Sequence, residues 1–171
     1  QLRVDQLEEE LQGGAGKAPP PQLTTTPARV VASGPAYSRT MLTVAAGRDD
    51  GIRADTAVLA GGALVGRVVD VAATTSTVQL ITDPNSSVAV RVQAARETAV
   101  AVGTGDPRTV ELQLFDPLVA VESGERVVTL GSPADLPFPS GLVLGSVDSA
   151  RAAVGSLDRV LRVRLAVGTP A

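Results

Sequence analysis

The sequence contains no cysteine and no histidine. Without cysteine there is no disulfide, and the missing thiol identifies no compartment in either direction. Without either residue, the usual zinc sites, the Ser/His/Asp triad and Cys/His nucleophilic catalysis cannot be assembled from this chain alone. Lysine is limited to Lys17, which sits in a Gly/Pro-rich stretch. Ser86, Ser87, Ser123, Ser132 and Ser140 therefore lack a base for Ser/Lys chemistry as well. The chain reads as no enzyme, and nothing in it asks for a metal or a cofactor.

Aromatic residues are confined to Tyr37, Phe115 and Phe138. A core must then be built from Val, Leu, Ile and Ala, side chains that suit small barrels with thin interiors. Neither sign of charge dominates: 15 basic and 18 acidic residues leave a net charge of −3, which gives no reason to expect nucleic acid as a partner. No run of about 18 apolar residues occurs, so no segment of this sequence reads as a membrane-spanning helix. At 171 residues and 44% hydrophobic content, the chain fits one ordinary domain or two small ones.

The densest pattern runs from Gly61 to Gln93, GGALVGRVVDVAATTSTVQLITDPNSSVAVRVQ. Gly62 and Gly66 inside an apolar run predict a bent strand, because glycine in a strand marks a bulge or a close backbone approach. Asp83-Pro84-Asn85 predicts a turn, with proline presetting φ and the Asp and Asn side chains bonding nearby backbone. Val88, Val90 and Val92 then alternate with polar or small residues, the period of a strand with one buried face. The glycines superficially resemble a phosphate loop, but no lysine follows in place and no helix opens there. Asp49 and Asp50 are neighbours in an extended segment and point apart, so they read as a solvated turn rather than an acid/base dyad.

Val4, Leu7 and Leu11, among acidic helix formers, have the spacing of an amphipathic helix. Residues 1–12 are either a terminal helix or the end of a coiled coil, and the pattern begins midway, which implies an upstream segment. Residues 13–27, GGAGKAPPPQLTTTP, have linker composition; a spacer and a proline-rich docking ligand both fit. Beyond Pro27 every signal is a short strand bounded by Gly, Pro, Asp or Asn. The clearest alternations are Val110, Leu112, Leu114 and Leu161, Val163, Leu165, Val167.

A weak internal repeat relates Gly62-Ala-Leu-Val-Gly66-Arg-Val68 to Gly141-Leu-Val-Leu-Gly145-Ser-Val147. Each is preceded by a glycine turn, at Gly51 and Gly124, and an apolar strand. Two barrels of related design would produce this, and so would chance in a chain rich in Ala, Val and Gly. Phe138, held between Pro137 and Pro139, reads either as an interaction anchor or as a plug at the bottom of a barrel. Tyr37, beside Pro35, has the same two readings.

GGALVGRVVDV, then TSTVQLITDPNSSVAVRV, then GERVVTLG with PFPSGLVLGSV, resembles the rod-shape-determining protein MreC family across about residues 27 to 150. VVASGPAYSRTMLTVAAGRDDGI is similar to the first strands of the family's barrel region. The resemblance implies an all-β fold with an N-terminal helix: a coiled-coil remnant, then two small antiparallel β-barrels of chymotrypsin-like architecture with no protease site. It implies a first barrel made of residues 28–76 plus 158–171 and a second made of 77–157. It further implies a plasma-membrane protein with a single upstream span, this portion being extracytoplasmic. The implied function is a non-catalytic scaffold of the bacterial cell-elongation complex, which maintains cell shape by organising and activating peptidoglycan synthesis. The implied partners are MreD, a class B penicillin-binding transpeptidase, other elongation-complex proteins and further copies of itself, as a dimer or filament. Two departures bear on dimer geometry: Thr129-Leu130-Gly131 stands where Thr-Ser-Gly is common, and the proline-rich linker is long. The alternative is a small-ligand or cell-wall-glycan-binding barrel, with Gly61, Gly62 and Gly141 lining the entry, although carbohydrate sites favour aromatic platforms.

Overall fold

Alternation of apolar and polar residues translates directly into strands. The computed structural model describes residues 24–33, 40–132, 138–151 and 160–167, and the expected helix over 1–12 lies outside them. Eleven strands form one hydrogen-bonded sheet system. They are β1 (Val30–Ser33), β2 (Met41–Val44), β3 (Ala57–Ala60), β4 (Ala63–Val71), β5 (Ser76–Leu80), β6 (Ser87–Val92), β7 (Glu97–Gly103), β8 (Thr109–Leu114), β9 (Arg126–Thr129), β10 (Val143–Arg151) and β11 (Val160–Leu165).

The last six strands close on themselves. β6 pairs with β7, β7 with β8, β8 with β11, β11 with β10, β10 with β9, and β9 returns to β6, all antiparallel. Closure removes every free edge and turns one face of each strand inward. Val88, Val90 and Val92 of β6 are buried while Ser87, Ala89 and Arg91 are exposed. Leu161, Val163 and Leu165 of β11 are buried between the exposed Arg162 and Arg164. Val90, Val110, Leu112, Val127 and Leu144 reach 0% exposure in the shared core, each worth about 1.5–3 kcal/mol of transfer free energy.

The first five strands form a curled sheet in the order β1-β2-β5-β4-β3, again antiparallel throughout. Its smaller core is Leu42, Val44, Val68, Val78 and Leu80. A 3₁₀ turn at Arg48–Asp50 carries Asp49 and Asp50 exposed on the surface, the solvated turn expected of them, and the Asp50 carboxylate accepts a 2.9 Å hydrogen bond from the Gly47 amide.

The internal repeat is structural. Its two copies are β4 and β10, and these strands meet in a parallel contact, Ala63 beside Val143, that joins the sheet to the ring. Each copy opens on a glycine with positive φ, Gly62 at 74° and Gly141 at 82°. Each then has a second glycine where a crossing backbone leaves no room for a side chain. A Cβ on Gly66 would lie 2.4 Å from the Gln79 carbonyl oxygen, and one on Gly145 would lie 2.0 Å from that of Arg164. Both strands also shift register at matching places, between Val68 and Asp70 and between Val147 and Ser149.

Two expected barrel boundaries require correction. β11 belongs to the ring, not to the first unit, because its apolar face completes the ring core and its ladders run to β8 and β10. The boundary expected at residue 77 falls inside β5, whose partners β2 and β4 are both in the first unit. Among the described residues the ladders close one ring, and the ladders of the first unit run from β1 through β2, β5 and β4 to β3.

Candidate interaction surface

The connector between the two units is built from the turn expected at Asp83. Asp83 is buried, at 5% exposure. It accepts a 2.5 Å hydrogen bond from the Thr40 hydroxyl and a 2.7 Å bond from the Asn85 amide, while the Ser86 amide donates to the Asp83 carbonyl at 2.8 Å. Pro84 and Asn85 are exposed. On one side of this turn the Leu80 amide donates to the Thr40 carbonyl at 2.8 Å and the Ile81 amide to Val65 at 3.0 Å. On the other, the amides of Gly103 and Gly105 donate to Ser86 and Thr82, at 3.2 and 2.7 Å. Residues 80–86 thus fasten the curled sheet to the ring through hydrogen bonds on both flanks.

The other polar groups buried in the structure are likewise engaged in holding it together. Ser76 donates its hydroxyl to the Ala46 carbonyl at 2.6 Å. Thr129 donates to the Pro139 carbonyl at 2.5 Å and accepts from the Leu142 amide at 2.9 Å. Among the described residues no buried side-chain donor or acceptor is left over, and no cluster of acidic residues could hold a metal ion. Two ion pairs, Arg67 with Asp55 and Arg164 with Asp148, lie in solvent at 3.4 and 3.2 Å, where such pairs contribute little.

Of the residues expected to make contacts, Val4, Leu7, Leu11 and Tyr37 lie outside the described residues. Phe138 is 5% exposed and packs in the ring core, so the plug and not the surface anchor describes it. Gly62 and Gly141 occupy turns with positive φ.

The exposed apolar side chains are elsewhere. Phe115 is 70% exposed and Leu118 is 90% exposed. Their loop follows β8 at the end of the ring remote from the connector, beside the β6–β7 hairpin. It is held firmly: the Phe115 amide donates to Thr98 at 3.3 Å, the Asp116 amide to the Glu97 carboxylate at 2.9 Å, and the Leu118 amide to the Asp116 carboxylate at 2.9 Å. Two large apolar groups on a pinned loop offer contact area at little ordering cost. One signal could have found Phe115. Val110, Leu112 and Leu114 set the inward parity of β8, and Phe115 falls on the outward one just before Asp116-Pro117.

Fold and surface together define an all-β barrel protein whose buried polar groups are structural and whose exposed apolar groups suit contact with another macromolecule. The family model for the barrel core of the rod shape-determining protein MreC matches residues 30–169. The cell shape-determining protein MreC of Cereibacter sphaeroides is 38% identical over 146 residues, covering 85% of this chain and 46% of its own length. The crystal structure of MreC from Pseudomonas aeruginosa superposes with a TM-score of 0.74 at 28% identity, over 81% of this chain and 88% of that one. A solved complex between penicillin-binding protein PBP2 and MreC from Helicobacter pylori also matches, with a TM-score of 0.63 over 86% of this chain and 88% of that one. At 13% identity that likeness speaks for the fold alone. The chain belongs to the MreC family of rod shape-determining proteins. It spans a little under half the length of the C. sphaeroides relative.

Proposed function

We propose that this chain is the barrel portion of a non-catalytic, extracytoplasmic scaffold that maintains cell shape by organising and activating peptidoglycan synthesis. The supporting observation is the family match over residues 30–169 on a fold in which, among the described residues, every buried polar side chain is engaged internally. The partner in this reading is a class B penicillin-binding transpeptidase; the H. pylori MreC was solved in complex with a penicillin-binding protein, PBP2. Phe115 and Leu118 are the contact residues we assign to it. Residues 1–12 would end a dimerising coiled-coil helix, residues 13–27 would space it from the barrels, and an upstream single span would anchor it beside MreD. The mechanism is stoichiometric: a scaffold that binds one conformation of the transpeptidase better than another shifts its population, and needs no chemistry of its own.

Depleting the protein in its host should round or swell the cells and delocalise the transpeptidase. Re-expression should restore both, and re-expression of a Phe115→Asp, Leu118→Asp double variant should not. Unchanged shape and localisation on depletion would overturn the proposal.

A further inference from the structure

Phe115 and Leu118 are too small to make a whole interface. Two side chains of this size offer on the order of 300 Å², whereas a specific protein contact takes roughly 800 Å² from each partner. The surface assigned to the transpeptidase therefore continues from Phe115 along the outer wall of the ring, and strand register gives the direction.

The Phe115 amide donates to the Thr98 carbonyl one step beyond the last β7–β8 pair, Ala99 with Leu114, so Phe115 stands beside Thr98. Thr98 is paired on its other side with Arg91 of β6. Phe115, Thr98 and Arg91 are thus neighbours in one row, all on the outward parity of their strands. Adjacent strands lie about 4.8 Å apart, which puts the Arg91 backbone roughly 10 Å from that of Phe115. One strand further, on β9, Val128 is paired with Arg91, and Arg126 lies two positions along, its carbonyl accepting from the Gln93 amide at 2.9 Å. Arg126 is exposed while Val127 beside it is at 0% exposure in the core, so Arg126 shares the outward face.

These two guanidinium groups are left without a carboxylate. Neither makes an ion pair among the described residues. The acids nearby accept from main-chain amides instead: Glu97 from Asp116, Asp116 from Leu118, and Glu125 from Ala95 and Glu122. Glu122 is exposed and pairs with neither arginine. Like charges on neighbouring sheet positions repel, so the free chain gains nothing from placing Arg91 and Arg126 together. On the other side of Phe115 the charges are balanced within the ring, Arg162 standing opposite Glu111 and Arg164 pairing with Asp148 at 3.2 Å.

We propose that Arg91 and Arg126 extend the transpeptidase contact, and that the partner meets them with surface carboxylates beside an apolar hollow that receives Phe115. This rests on the transpeptidase being the partner of the Phe115 surface. Arginine suits the role: its planar fork donates two parallel hydrogen bonds to a carboxylate, and it is enriched with aromatic residues in the few positions that dominate binding energy.

The test is titration of the purified 171-residue chain against the extracytoplasmic part of the transpeptidase from the same organism, at roughly 50 mM and 500 mM salt. We expect an Arg91→Gln, Arg126→Gln variant, folded by circular dichroism, to bind about tenfold more weakly at low salt and to lose most of the parent's salt dependence. The single substitutions, each weakening binding about threefold, serve if the double variant does not fold. An Arg108→Gln, Arg162→Gln variant removes the same charge from other exposed positions of the ring and should bind as the parent does. Parent affinity in the Arg91, Arg126 variant, equal loss in both double variants, or parent binding that salt leaves unchanged would overturn the arginine contact. Each of those results leaves the transpeptidase reading standing where the Phe115→Asp, Leu118→Asp variant is weakened, whereas absence of saturable binding by the parent overturns both.

Discussion

Two glycines four residues apart, Gly62 in the turn before β4 and Gly66 within the strand, are there for different reasons, and replacing each by alanine separates them. Gly66 lies between β3 and β5, paired with Val58 and Leu80. An added Cβ would sit 2.4 Å from the Gln79 carbonyl oxygen, about 1 Å short of the 3.4 Å at which ordinary contact begins. A second clash, 2.9 Å from Val78 Cγ1, falls on a fully buried side chain. The obstruction on the first side is backbone, so relief requires β4 and β5 to part locally and strain their ladder. Overpacking that moves backbone costs about 3 kcal/mol, the upper part of its usual range. For a chain of this size that corresponds to a fall of about 6–12 °C in the melting midpoint. Gly62 has φ of 74° and nothing within 4 Å of its would-be Cβ. Gly62→Ala therefore meets only the left-handed backbone penalty, about 1–2 kcal/mol. With no tryptophan in the chain, far-UV circular dichroism during urea unfolding is the suitable probe. A Gly66→Ala loss no larger than that of Gly62→Ala would refute the close-approach argument.

Further outcomes follow from the same contacts. Gly145→Ala, facing the Arg164 carbonyl at 2.0 Å, should destabilise the ring at least as much as Gly66→Ala destabilises the sheet, as read by urea melts. Thr40→Val leaves the buried Asp83 carboxylate without its hydroxyl donor and should cost about 1–3 kcal/mol; a melt superimposable on the parent's would show that the connector does not depend on that bond. Phe138→Ala should cost about 3–5 kcal/mol as a lost core side chain, while Phe115→Ala, on the surface, should stay within about 0.5 kcal/mol. The reverse order in thermal melts would return Phe138 to the surface.

Period-two alternation made most strands legible, because burial of one face acts on every second residue: β6, β8 and β11 stand in the sequence as they do in the fold. The glycine repeat was legible too, since a positive-φ turn and a close backbone approach both exclude other residues at Gly62, Gly66, Gly141 and Gly145. Strand pairing was not. Whether Leu161, Val163 and Leu165 complete one core or the other depends on contacts with β8 and β10, about eleven to twenty residues away for β10 and about fifty for β8, and alternation carries no partner. The exposed pair Phe115 and Leu118 was missed for a related reason. Phe138 drew notice through its flanking prolines, yet proline stiffens a buried loop as readily as an exposed one, whereas Phe115 is marked only by falling on the wrong parity of its strand.

The central claim is that this chain acts by binding a transpeptidase. The direct measurement is titration of the purified chain against the extracytoplasmic part of the class B penicillin-binding transpeptidase from the same organism, by isothermal calorimetry. The account predicts saturable 1:1 binding that the Phe115→Asp, Leu118→Asp variant, folded by circular dichroism, weakens at least tenfold. Absence of saturable binding at roughly 100 μM of each protein would contradict the claim, and undiminished binding by the folded variant would contradict the surface assigned to it.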